Sequence, residues 1–172
     1  MGNFEQAMEK TFAHEGWGKL INVKYDPGGE TKWGISKRSY PEEDIARLDR
    51  NRAVELYRRD FWHPMYSDIA SPEVAEELFD FGVNTSARGW PKLAVKILQE
   101  SLGYLVVGPI VPDGVFGSQT LEAVNSASET LLMREFRARQ AYYYADIVIR
   151  QPDIHEAEKK RFLLGWMRRV MA

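Results

Sequence analysis

The segment His14-Glu15-Gly16-Trp17, followed by Asp26-Pro27-Gly28-Gly29-Glu30-Thr31-Lys32-Trp33-Gly34-Ile35-Ser36, decides how the rest of the chain is read. Upstream, Phe4, Met8 and Phe12 recur at i, i+4 and i+8 behind Asn3, a side chain suited to capping a helix start. Glu15 stands three residues after Phe12 and directly before Gly16, so it is expected to end that helix facing apolar surface. Low dielectric and the partial negative charge of a helix C-terminus both disfavour a carboxylate there. A carboxylic acid that keeps its proton near neutral pH can protonate a leaving oxygen.

After Gly16 the pattern turns strand-like from Leu20 to Tyr25. Asp26-Pro27-Gly28-Gly29 then reads as a turn, with Pro27 setting the first angle and Gly28 accepting a positive φ. Thr31 to Ile35 is expected as the return arm of a hairpin that brings Asp26 and Thr31 together, opposite the helix end. Asp26 on a polar turn should stay ionised and orient water or stabilise an oxocarbenium-like transition state, and Thr31 could hold the same water. Trp17, Tyr25 and Trp33 interleave with these groups and offer flat faces to sugar rings. The combination suits hydrolysis of a glycosidic bond. Each part also has a plain reading, in which Glu15 is a solvated helix-end residue and Asp26 to Gly29 is only a turn.

The segment from His14 to Ser36 resembles the catalytic signature of glycoside hydrolase family 108, the N-acetylmuramidases of bacteria and their prophages. There a Glu-Gly-Gly sequence precedes an Asp-Pro-Gly-Gly turn and a Thr-X-X-Gly-Ile run. Glu15 matches the family's catalytic glutamate, and Asp26 and Thr31 resemble the Glu/Asp/Thr set of bacteriophage lysozymes. Trp17 departs from the family, where a second glycine is common. Phe79-Asp80-Phe81-Gly82-Val83-Asn84 is similar to the family's Asp-X-X-Val-Asn segment, which implies a substrate contact for Asn84; Gly82 or Asn84 could instead cap a helix end. Leu98-Gln99, Leu102-Gly103-Tyr104, Asp113-Gly114-Val115-Phe116-Gly117, Thr120 and Ala123-Val124 resemble the peptidoglycan-binding region that follows, as does Phe162 to Arg169. That resemblance implies a substrate contact for Gln99. In physical terms the same stretch is a helix ended by Gly103, a tight turn at Asp113-Gly114, and a helix capped by Ser118.

The implied fold is mainly α, an α+β lysozyme-like body with a helical bundle and a small β-hairpin beside an active-site cleft. Helices are expected over 3–15, 41–49, 51–61, 71–82, 90–102, 118–127, 128–150 and 153–170, with Pro41 and Pro72 in first turns and a capping box at Asp153 and Glu156. Outside the hairpin, Val106 to Val115 is expected to be extended. The catalytic lobe is set at 1–88 and the peptidoglycan-binding-like lobe at 89–172, joined at Ser86-Ala87-Arg88-Gly89. Tyr142-Tyr143-Tyr144 spreads around its helix, so part of it should be core and part surface.

With 172 residues and no cysteine, the chain suits one globular unit made in a reducing cytoplasm, with no disulfide framework. His14, His63 and His155 lack metal-ligand spacing, so neither metal nor cofactor is expected. The start has no basic segment and apolar run of a signal peptide, and Gln6 stands where myristoylation wants Ser or Thr. Release to the wall through a pore or a dedicated export route is therefore expected. Residues 1–133 carry 14 basic and 20 acidic side chains, and 134–172 carry 9 and 5. The basic C-terminal end could approach an anionic envelope, but a net charge of −2 does not suit nucleic acid.

The resemblance implies cleavage of the β-1,4 bond between N-acetylmuramic acid and N-acetylglucosamine in peptidoglycan by a monomer, with no membrane segment and Glu15 as general acid. A lytic transglycosylase, or a non-catalytic peptidoglycan-binding or secretion-accessory protein, stays as the alternative.

Overall fold

The computed structural model describes residues 1–15, 18, 20, 29–86, 89–150 and 156–171, the side chains of His14, Glu15 and 156–162 excepted. It divides into two compact units, Met1–Ala94 and Val95–Ala172, the division falling within a helix a few residues after the expected junction at 88/89. Mainly α structure with a two-stranded antiparallel hairpin is found, as expected.

In the first unit α1 spans Phe4–Glu15, and Asn3 Oδ1 accepts from the Glu5 and Gln6 amides as a cap should. Phe4, Met8 and Phe12 are all buried, as their spacing requires. α1 is followed by α2 (Arg50–Phe61), capped by Asp49, a 3-10 helix (Pro64–Asp68), and α3 (Pro72–Thr85), capped by Ser71 with Pro72 at its first turn. The core is aromatic: Phe79 stands edge-on to Phe4, Tyr57 and Trp62 with ring centroids 5.7, 6.4 and 5.5 Å away.

The helix expected over 41–49 does not form; the segment is a run of turns between Tyr40 and Asp49. Lys37 Nζ takes the carbonyls of Pro41 and Glu43, at 2.9 and 2.7 Å, and Lys32 Nζ takes that of Ala46. Carbonyls a helix would have used are thus bound by side chains, while Ile45 and Leu48 still reach the core. Gly82 is not a cap either. It lies inside α3 with no room for a side chain, since a Cβ would come within 2.8 Å of Pro91.

His63 caps the 3-10 helix, its Nδ1 accepting from the Met65 amide at 3.3 Å, and stands edge-on to Trp90 with ring centroids 4.8 Å apart. Burial lowers its pKa from the ordinary 6.5. The unfolded chain then binds more protons near pH 6, so stability is full above the unfolded value and falls as pH drops through it toward the lowered folded value. Unfolding midpoints at pH 7.5 and 5.5 should show this loss, and His63→Asn, which keeps a capping acceptor, should reduce it.

The second unit holds the end of α4 (Lys92–Leu102), then α5 (Ser118–Ser126), α6 (Glu129–Arg150) and α7 (Glu156–Val170). Val106 to Val115, expected to be extended, is a looped segment. Gly108 and Gly114 take positive φ, and short bonds such as Asp113 N to Val111 O occupy amides that a strand would offer. The N-cap of α5 is Gly117 rather than Ser118, which is the first helical residue. Tyr144 is buried and stacks on Trp166 at 4.9 Å while Tyr142 is exposed, so the tyrosine run divides as its helical spacing implies. The expected capping residue Asp153 lies outside the described residues, as does the side chain of Glu156. Among the described residues, no helix is long and apolar enough to cross a membrane.

Candidate active site

Glu15 is the last residue of α1, as its place before Gly16 led one to expect. Its side chain, together with Trp17, Tyr25 and Asp26, lies outside the described residues. Thr31 and Trp33 are described, and they set the geometry of the site.

Thr31–Lys32 (β1) pairs antiparallel with Ile35–Ser36 (β2), Lys32 opposite Ile35, so the chain reverses at Trp33-Gly34. This corrects the expected hairpin, in which Thr31 to Ile35 was one arm. Both turn residues have positive φ, 56° at Trp33 and 74° at Gly34, the pattern of a type I′ turn. Glycine accepts that conformation readily, but an aromatic residue does not. Tertiary contacts hold Trp33 there: its carbonyl accepts from Tyr57 Oη at 3.0 Å, and its ring lies 5.1 Å from that of Phe12. A Cβ at Gly18 would come within 2.3 Å of the same indole. The buried Nε1–H of Trp33 has no partner among the described residues. The indole therefore pins the hairpin to α1 one turn before Glu15, which limits how much of its face a sugar could use. Thr31 is half-buried, its hydroxyl 3.5 Å from the Gly29 carbonyl.

On the other side of α1, the Thr11 hydroxyl donates to Asp80 Oδ1 of α3 at 3.2 Å, and Lys10 Nζ lies 3.6 Å from Glu77. Both carboxylates are buried. Asn84 follows Asp80 by one turn of α3 and is half-buried, as Glu15 follows Thr11 by one turn of α1. In sequence Asp80 carries no sign of this role, and Thr11 none beyond its place on the helix. The available signal was a hydroxyl at the position one turn after Ala7 on the buried face of α1. Thr11→Val keeps the shape and leaves the Asp80 oxygen without this donor, so unfolding should become easier by about 1–3 kcal/mol, measurable by urea titration.

Gln99, for which a substrate contact is expected, braces a turn inside the second unit. Its Nε2 donates to Asp113 Oδ1, the Val115 carbonyl and Thr120 Oγ1 at 2.9 to 3.1 Å, and its Oε1 accepts from the Gly114 amide at 2.9 Å. It is only 2% exposed, so its main part is to hold the Asp113-Gly114 turn. The amide of Val115 and the Gln99 side chain lower the Asp113 pKa. Among the described residues no cluster of His, Asp or Glu could hold a metal ion.

Residues 8–85 match the model of the glycosyl hydrolase 108 family, and residues 93–171 match that of the predicted peptidoglycan domain. Among solved structures the chain is similar to one described as the structure of Brucella abortus SagA. The identity is 22% and the TM-score 0.68, over 98% of this chain and 94% of that one. No curated protein matches. The structural likeness supports the mainly α, lysozyme-like fold, and the two family matches support a glycoside hydrolase directed at peptidoglycan. The chain thus joins a segment, 8–85, that matches the glycosyl hydrolase 108 family to a segment, 93–171, that matches a predicted peptidoglycan domain.

Proposed function

We infer that this chain is an endo-N-acetylmuramidase that cleaves the β-1,4 bond between N-acetylmuramic acid and N-acetylglucosamine, with Glu15 as general acid. The observation that carries this reading is the placement of the Glu15 backbone. It ends α1 one turn beyond Phe12, the residue on which Trp33 seats the hairpin bearing Thr31, all within the family match. Glu15 would protonate the leaving oxygen as the sugar acquires oxocarbenium character. Asp26, helped by Thr31, would orient the attacking water or stabilise the cationic sugar. Water completes the reaction: its hydroxyl adds to the muramic C1, and its proton restores Glu15 over the cycle. Trp17, Tyr25 and Trp33 belong to this proposal as walls for sugar rings and Asn84 as a polar contact.

Turbidity loss and release of soluble muropeptides from purified peptidoglycan test the reading. Fragments ending in reducing N-acetylmuramic acid are expected. Fragments ending in reducing N-acetylglucosamine would place the cut at the other glycosidic bond, and intact polymer would contradict hydrolysis altogether.

A further inference from the structure

Tyr104 stands just past the end of α4 and is 81% exposed. The Arg139 guanidinium of α6 lies 5.3 Å from its ring centroid, close enough for a cation–π contact. Two carboxylates fix that guanidinium, Glu135 Oε1 at 3.0 Å from Nε and Glu100 Oε2 at 3.7 Å from Nη1. Tyr104, Arg139 and Glu100 line a groove of about 510 Å³ together with Gln99, Gly103, Ile110 and Pro112. All of these residues belong to the second unit, and all are described.

The chemistry of the groove selects among ligands. An open aromatic face accepts the C–H face of a pyranose, while a guanidinium and carboxylates held beside it can donate to and accept from its hydroxyl and acetamido groups. Two neighbouring carboxylates already balance the Arg139 charge, so a phosphate or an anionic peptide gains little attraction there. The groove also falls within the ~300–1,000 Å³ range of small-molecule sites. We propose that this groove of the second unit holds a neutral N-acetylhexosamine ring of the glycan strand, as a site additional to the reaction centre. The proposal rests on the muramidase reading for its polymer. The family match assigns peptidoglycan to the whole of 93–171, and the groove names the residues and the part of the polymer they take.

The test uses the full chain carrying Glu15→Gln to block cleavage, with retention measured on purified sacculi and on glycan strands stripped of their peptides. Tyr104→Ala, at an exposed site, should fold normally and weaken retention on both polymers roughly five- to tenfold. Tyr104→Phe keeps the ring and should bind within about twofold of the parent. Equal retention of Tyr104→Ala on both polymers overturns the proposal, as does a loss confined to peptide-bearing sacculi, or a parent chain that neither polymer retains. Cleavage that depends on Glu15, with retention indifferent to Tyr104, sinks this site alone. Retention that follows Tyr104 without any cleavage by the unsubstituted chain sinks the muramidase reading and leaves a glycan-binding groove.

Discussion

Glu15→Gln should lower turnover on peptidoglycan by about 10²- to 10⁴-fold while leaving KM nearly unchanged. Glutamine keeps the length and shape of the side chain and can still donate an N–H, but it has no proton acidic enough to follow the leaving oxygen. The loss should therefore appear in the chemical step, with substrate affinity retained. Thermal unfolding should remain cooperative, which separates a chemical loss from a folding one. Turnover equal to that of the parent would remove Glu15 from the mechanism, whatever the fate of Asp26 and Thr31.

Phe79→Ala should give the largest loss of stability. Phe79 is fully buried and serves three other rings at once, Phe4 of α1, Tyr57 of α2 and Trp62 beside the 3-10 helix. Truncation removes its transfer energy and leaves a cavity that rings fixed from three directions cannot easily fill. A cost of about 3–5 kcal/mol is expected. Against the ~5–15 kcal/mol of a typical domain, that should lower the urea midpoint sharply or leave the first unit unfolded at 37 °C. A change below about 1 kcal/mol would mean that the site collapses freely and that the aromatic cluster is not the centre of this unit.

Local rules made much of this architecture legible. The Phe4, Met8 and Phe12 spacing announces α1 and its buried face, and Asn3 and Pro72 mark helix starts by chemistry that acts within one turn. Where the fold departs from the local pattern, a distant partner decides the local conformation. Thr31 to Ile35 reads as a single arm, yet the described strands reverse at Trp33-Gly34, where Tyr57 and Phe12 hold an aromatic residue at positive φ. The pattern over 41–49 suits a helix, and the ammonium groups of Lys32 and Lys37 draw off its carbonyls from outside the segment. Gln99 shows a related limit, since nothing in the sequence announces the four bonds by which it braces a turn.

The central claim, water-dependent cleavage at N-acetylmuramic acid, is tested most directly by digesting purified peptidoglycan in H₂¹⁸O and reading the fragments by mass spectrometry. One ¹⁸O at C1 of a reducing N-acetylmuramic acid, in fragments that Glu15→Gln fails to produce, is the expected result. Unlabelled 1,6-anhydro ends would show that the chain cleaves the strand without water and would contradict the hydrolytic account.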